Sequence, residues 1–294
     1  MFTSEDVKKL REMTGVGMLD CRNALVETNG DVDKAVEILR EKGIAKAAKK
    51  ASRIAAEGAV GSFVDGKIGV LVEINCESDF VSKGDKFQEI VSNIAKVIAK
   101  NKPSTVDELL TCKFENGSVA DYMTERTMVI GEKLSIRRFE VFETEGKIET
   151  YIHMGGKVGV MVEACPFNAG EQILHDVALQ IAAAKPTYLD KTQVPAEVIE
   201  KEKEILLSQM QNDEKNANKP KEILEKIVLG KIGKYYTENC LLDQLFVKDD
   251  SKTIKEVIGN NFTLNKFVRF EMGEGLEKKN ENFAEEVAKM GHKD

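Results

Sequence analysis

The sequence predicts an α+β protein. It has an N-terminal three-helix module, a duplicated core of two antiparallel-sheet/helix subdomains, a helical hairpin inserted in the second copy, and a C-terminal helix. Three observations carry this. Gly66-Lys67-Ile68-Gly69-Val70-Leu71-Val72-Glu73 returns as Gly156-Lys157-Val158-Gly159-Val160-Met161-Val162-Glu163, at an offset of 90 (156 − 66), and both runs read as buried strands. Lys102-Pro103 returns as Lys185-Pro186 at an offset of 83 (185 − 102), each time ending a helical stretch, 87–101 and 171–184. Arg138-Phe139-Glu140 returns as Arg269-Phe270-Glu271. Three matched blocks in one order, at a period too long for a solenoid, indicate two related subdomains.

The expected order within each copy is strand–strand–helix–helix–strand, with Asp65-Gly66 and Gly155-Gly156 as hairpin turns. The unequal spacings show what each copy has gained. The first is 7 residues longer (90 − 83) between strand and Lys-Pro, around residues 76–85. The second is longer later: Pro186 to Phe270 spans 84 residues and Pro103 to Phe139 spans 36, an excess of 48 (84 − 36). In that excess Val194-Pro195 opens a charged helix over 196–211, with Val198, Ile205 and Leu206 apolar. A polar, helix-breaking run ends at Pro220, and a second helix over 222 to about 237 carries Ile223, Ile227 and Ile232. Narrow apolar seams indicate an antiparallel hairpin standing off the body, the alternative being two helices packed flat. Gly230-Lys231-Ile232-Gly233-Lys234 lacks phosphate-loop spacing and belongs to this helix.

At the N-terminus Thr3 is placed to cap a helix with Val7, Leu10 and Met13 at helical spacing, stopped by Thr14-Gly15-Val16-Gly17. A second helix follows over 18–28, with Met18, Cys21, Ala24 and Leu25 on one side, closed by Asn29-Gly30. Asp31 or Asp33 caps a third, with Ala35, Val36, Ile38 and Leu39 apolar and Gly43 as its expected end. The Thr-Gly-Val-Gly turn and the run from Asn29 to Leu39 resemble a ubiquitin-associated-type three-helix domain. That resemblance implies protein binding through the first turn and third helix; a helical cap with no partner is the alternative. The basic, Ala-rich run 45–53 reads as a solvated helical linker. The expected divisions are 1–55, 56–142, 143–275 with the hairpin at about 194–238, and 276–294, where Phe283, Val287 and Met290 share one helical face that packs at home or docks elsewhere.

Composition narrows the function classes. The 294 residues are 42% hydrophobic and 32% charged, with net charge −7, which places the chain among soluble globular proteins and against a general nucleic-acid binder. Trp is absent and aromatics are 6%, too few for base-stacking platforms. The five cysteines are widely spaced with no CxxC, which fits reduced, mostly buried thiols in a cytoplasmic protein. No stretch is apolar for the ~20 residues of a membrane span, and the acidic start lacks a secretion signal. His153, His175 and His292 form no metal-binding pattern with one another or with cysteine. No nucleophile or acid/base motif appears, so a non-enzymatic role without cofactor or metal is expected.

The informative segment is Glu77-Ser78-Asp79-Phe80-Val81, between a buried strand and the polar Ser82-Lys83-Gly84-Asp85-Lys86. A Phe in such a loop either folds back onto its own core or projects to anchor a partner. The duplicate, Ala164-Cys165-Pro166-Phe167-Asn168-Ala169-Gly170, has no room for the same loop. An enlargement that the fold can do without favours a functional role.

Leu10-Arg11-Glu12-Met13-Thr14-Gly15-Val16-Gly17-Met18-Leu19-Asp20-Cys21, Asn75-Cys76-Glu77-Ser78-Asp79-Phe80-Val81 and Arg269-Phe270-Glu271-Met272-Gly273-Glu274-Gly275 resemble the bacterial translation elongation factor Ts family, in order and across essentially the whole chain. The resemblance implies a guanine-nucleotide exchange factor for elongation factor Tu. Asp79 and Phe80, flanked by Ser78 and Val81, would enter the GTPase near its nucleotide and displace magnesium. The family has Thr where this chain has Ser78, which keeps the hydroxyl and the capping capacity. Further contacts implied are Gly15, Val16, Gly17 and Met18, Arg22 where the family usually has Lys, Ile130 and His153. The N-terminal module and C-terminal helix would contact the GTPase domain, the second subdomain a more distant domain, and a dimer of heterodimers is among the assemblies implied. Rival readings are an adaptor that only holds its partner, and an RNA binder using 46–53, which the acidic balance opposes.

Overall fold

Thr3 caps the first helix, α1 (Ser4–Thr14), in a reciprocal box: its hydroxyl accepts from the Asp6 amide while the Asp6 carboxylate accepts from the Thr3 amide. The computed structural model describes residues 2–168, 170–212 and 220–277, apart from the side chains of residues 44, 46, 221 and 222. The expected C-terminal helix and most of the polar break at 213–219 lie outside these residues.

Gly15, at φ 68°, ends α1, and α2 (Met18–Glu27) buries Cys21, Ala24 and Leu25. Met18 does not share that side; it is exposed. Asp31, rather than Asp33, caps α3 (Val32–Lys50) by accepting from the Lys34 amide. Gly43 does not end α3, which runs on through the basic stretch to Lys50. The glycine is there for packing. A Cβ at Gly43 would lie 2.7 Å from Met128 Sδ, so its absence lets α3 close onto a core helix.

The first copy begins with β1 (Glu57–Asp65) and β2 (Ile68–Cys76), joined by Gly66 at φ 56°. Next come α4 (Asp79–Ser82), α5 (Asp85–Asn101), α6 (Val106–Thr111), a two-residue hairpin β3 (Lys113–Phe114) and β4 (Gly117–Ser118), α7 (Val119–Ile130) and β5 (Ser135–Glu143). The second copy runs β6 (Lys147–His153), β7 (Val158–Phe167), α8 (Glu171–Ala184), α9 (Ala196–Gln211), α10 (Lys221–Asn239), β8 (Leu245–Phe246), β9 (Asp249–Thr253), α11 (Ile254–Ile258) and β10 (Phe262–Glu271). The sheets are ordered β1-β2-β5 and β10-β7-β6, antiparallel throughout, with the repeated strand central in each. The expected element order omitted a small hairpin in each copy. The helix after it starts alike, with a capping box at Ser118/Asp121 and at Thr253/Glu256.

The third repeated block is out of register. Opposite Val70 stands Val141, and opposite Val160 stands Arg269. Arg269-Phe270-Glu271 therefore answers Val141-Phe142-Glu143, three residues beyond the tripeptide match. The stretch added to the second copy becomes 45 residues, 84 from Pro186 to Phe270 against 39 from Pro103 to Phe142. The other blocks hold. Lys102 and Lys185 end α5 and α8 in the left-handed region, at φ 50° and 48°, and each ammonium pairs with the matching strand-end carboxylate, Glu143 and Glu271.

Alternation along the central strands separates two faces. Val70, Val72 and Ile74 face the helices of the first copy, and Val160 and Val162 those of the second. Leu71 and Met161 point the other way and meet between the sheets with Val60, Phe142, Ile148 and Phe270. Helices therefore cover the outside of two facing sheets. Gly69 and Gly159 permit the approach: a Cβ there would lie 2.6 Å from Ile148 Cγ2 and 2.4 Å from Val60 Cγ1. Fully buried Glu73 joins the copies, its carboxylate accepting from Arg137, Arg138 and the Gly273 amide. Burial alone would raise its pKa, but these donors together hold it below the usual value.

The inserted helices α9 and α10 bury Ile199 and Met210 against Leu224, Val228 and Ile232. Of the apolar positions expected in the seam, Val198, Leu206, Ile227 and Ile232 join it while Ile205 and Ile223 stay exposed, and the buried row of α10 is the i, i+4 series from Leu224. Backbone bonds from Leu241 to Tyr188 and from Leu242 to Leu189 staple the base of the insertion. Among the described residues no helix is long and apolar enough to cross a membrane.

Candidate functional site

The enlarged loop leaves the end of β2 at Cys76 and turns through α4 before α5 begins. It occupies residues 77–84, against 168–170 in the second copy, and α5 also starts earlier than α8. Ser78 is extended (φ −126°, ψ 153°) and caps α4, its hydroxyl accepting from the Val81 amide at 3.3 Å. This is the capping role expected of the hydroxyl. Val81 packs on the first core, and Ser82 is buried with its hydroxyl donating to the Asp79 carbonyl. Gln88 of α5 reaches back to the Ser82 carbonyl at 2.7 Å.

Phe80 points the other way. It is 86% exposed, the most exposed large apolar side chain among the described residues. Of the two fates open to it, packing at home is ruled out. A ring whose burial would contribute about 1.5–3 kcal/mol stands in water on a tightly bonded turn. Beside it Lys83 donates to Asp79 at 2.7 Å, and this bond holds the Asp79 carboxyl below its ordinary pKa, keeping it anionic.

The base of the loop is tied to the segment after α7. The Glu132 carboxylate accepts from the Glu77 amide at 3.0 Å, the Ser78 amide at 2.9 Å and the Ser78 hydroxyl at 2.6 Å. Glu77 accepts from the Lys133 amide at 2.6 Å and from the Arg53 guanidinium at 3.2 Å. Lys133 Nζ donates to the carbonyls of Ala51 and Arg53, which binds in the linker below α3. The Cys76 thiol donates to the Ser78 carbonyl, and burial pushes its pKa up to about 12, so it stays a neutral donor. The sequence reading missed Glu132, Arg53 and Lys83. The one available signal was the Asp79/Lys83 spacing of four; Glu132 is 54 residues from Ser78 and belongs to no periodic pattern.

The other named residues fall on the same side of the first copy in part. Ile130, half-buried on the core, is the last residue of α7, two before Glu132. Gly15 abuts Val129 of α7, where a Cβ would lie 3.5 Å from the valine. Val16 is buried, while Gly17, Met18 and Arg22 are exposed beside exposed Met13 and Leu19. The end of α7 thus touches the N-terminal helices and leads straight to the loop clamp. His153 is exposed at the end of β6, its Nδ1 2.8 Å from the Tyr151 hydroxyl, next to exposed Met154. After that turn Lys157 pairs with Glu57 at 2.7 Å and adds a weaker attraction on the Asp79 carboxylate. Among the described residues no group of three or more His, Cys, Asp or Glu could hold a metal.

Residues 77–274, from the loop to the end of the second sheet, match the family model described as Elongation factor TS. The chain belongs to the elongation factor Ts family. The family's curated members agree over full length. The chain is 50% identical over 307 residues to elongation factor Ts of Clostridium perfringens (strain SM101 / Type A), covering 100% of both. It is 48% identical over 300 residues to that of Halothermothrix orenii, covering 99% of both. To that of Clostridium novyi it is 47% identical over 306 residues, again covering 99% of both.

Proposed function

We propose that this chain is the guanine-nucleotide exchange factor of elongation factor Tu in translation elongation, acting in the cytoplasm without cofactor or catalysis of its own. One observation carries the reading: an aromatic ring, 86% exposed, held out on a turn that hydrogen bonds fix from both sides. Aromatic side chains placed this way dominate protein interfaces, and a pre-ordered loop loses little freedom on binding. Asp79 and Phe80 insert beside the partner's nucleotide and displace the magnesium that bridges phosphates and protein ligands in P-loop GTPases. Ser78 and Val81 hold the turn. Gly15 to Met18, Arg22, Ile130 and His153 are further contacts, spread over the module 1–55 and both core subdomains, 56–142 and 143–275.

The coupling is reciprocal. A factor that weakens nucleotide binding is itself weakened by nucleotide to the same extent. A coupling of about 1–3 kcal/mol speeds release only modestly, and a population shift of 1:99 to 99:1 takes about 5.5 kcal/mol of differential affinity. One Phe supplies about 1.5–3 kcal/mol, so the wide contact provides the rest. The factor leaves unchanged, so it alters rates and not the GDP/GTP equilibrium.

Release of labelled GDP from elongation factor Tu, with and without this chain and at several magnesium concentrations, tests the reading. Acceleration in magnesium that shrinks under chelation is expected, because the metal is then already gone. An unchanged release rate in magnesium rejects the proposal. Binding that ignores both nucleotide and the Asp79-Phe80 pair would mark an adaptor instead.

A further inference from the structure

We infer that Glu132 is the positioning residue of the exchange loop: through its three hydrogen bonds to Glu77 and Ser78 it sets the direction in which Phe80 leaves the surface. The inference rests on the exchange reading above. Both backbone amides immediately before Asp79 end on one carboxylate oxygen, at 3.0 and 2.9 Å, and the cap hydroxyl ends on the other at 2.6 Å. Donating to Glu132 orients the Ser78 hydroxyl so that its lone pair meets the Val81 amide. The carboxylate thus fixes the start and the cap of α4 at once, and Phe80 is the second residue of that turn.

The second copy supplies an independent argument. Asn168 is the first residue after β7, as Glu77 is the first after β2, and its amide donates to the carbonyl of Asn261, the residue before β10, at 3.1 Å. Glu132 likewise lies in the segment that leads into the third strand of its sheet, three residues before β5. A plain backbone bond therefore closes the short connection in the copy without the aromatic. In the copy with Phe80 the corresponding amide, that of Glu77, is taken instead by the Glu132 side chain, which also reaches the Ser78 amide and the cap hydroxyl. Charge-assisted bonds of this kind are shorter and stronger than neutral ones. The clamp is also footed in rigid structure. Glu132 follows Gly131, the left-handed cap of α7 at φ 87°, and Lys133 beside it holds Glu77 and the linker carbonyls of Ala51 and Arg53.

The test uses full-length Glu132→Gln, which keeps the shape and removes the charge, with Glu132→Ala, Phe80→Ala and the double variant Glu132→Gln/Phe80→Ala. Hydrogen exchange on the free protein reads the clamp itself. The Glu77 and Ser78 amides are expected to be protected in the parent and to exchange faster in Glu132→Gln, while the β2 amides stay protected. Unaltered protection at residues 77 and 78 overturns the proposal whatever the activity. In the GDP-release assay the Glu132 variants are expected to lower the saturating rate by about 10–100-fold, the scale of loss when a working group is displaced by about an ångström. The concentration giving half the effect should move much less, since the other contacts are intact. In the Phe80→Ala background Glu132→Gln should add nothing. A full saturating rate in Glu132→Gln while Phe80→Ala is slow overturns the positioning role alone. An equal further loss on top of Phe80→Ala overturns it too. A full rate in Phe80→Ala instead brings down the exchange-loop reading itself.

Discussion

The Arg138 guanidinium lies over the Phe270 ring, its carbon 4.3 Å from the ring centre, so a cation of the first copy covers an aromatic of the second. The reverse contact exists as well: Lys266 Nζ lies 4.1 Å from the centre of the Phe142 ring. In the register of the sheets Arg138 answers Lys266 and Phe142 answers Phe270, so the two contacts are one contact made twice. The copies pack as near-equivalent partners, which makes the sheet–sheet layer one rigid base for the loop on the first copy.

Glu73 is expected to be the most costly single position in that base. Glu73→Gln leaves Arg137 and Arg138 without their buried counter-charge, and breaking such a pair costs about 3–5 kcal/mol. Urea denaturation should show the midpoint falling accordingly. A shift no larger than that of a surface substitution would remove Glu73 from this role.

Gly69→Ala and Gly159→Ala should destabilise by similar amounts. Each places a methyl within 2.4–2.6 Å of a side chain of the opposite sheet, and overpacking of this kind costs about 1–3 kcal/mol. Thermal unfolding of the two variants checks this. A large loss in one and none in the other would contradict the equivalence of the copies.

Asp121 ties α7 to the N-terminal helices. Its carboxylate accepts from the Ser118 amide and, at 2.8 Å, from Arg40 of α3, and these bonds lower its pKa from 3.8 to about 2. The folded value lies below the unfolded one, so the contribution is present above about pH 4 and is lost as pH falls towards 2. Asp121→Asn should flatten stability against pH in that window and leave it unchanged in slope near neutrality. Urea midpoints measured from pH 2 to 7 read the difference.

How much of this was legible follows the range of each interaction. The Thr3 cap, the span of α9, the two central strands and the two Lys-Pro helix ends depend on residues close in sequence, and their patterns are visible there. Gly43 looked like a helix end because local propensity says so; Met128, far along the chain, decides otherwise. The Arg-Phe-Glu match misled by three residues because a short motif carries no pairing information, whereas the strand partners do. The loop itself could be read from the unequal spacing of the copies. Its clamp could not: Glu132 is one acidic residue among 50 Asp and Glu, and only folding brings it to Ser78.

The most direct test of the central claim is the saturating GDP-release rate given by Phe80→Ala, in magnesium and under chelation. The ring makes little contact at home, so the variant should unfold at the parent temperature. In magnesium its rate is expected to fall by about tenfold or more, corresponding to about 1.4 kcal/mol or more of lost transition-state stabilisation, and the gap should close once the metal is removed. A Phe80→Ala protein as fast as the parent in magnesium would contradict the account.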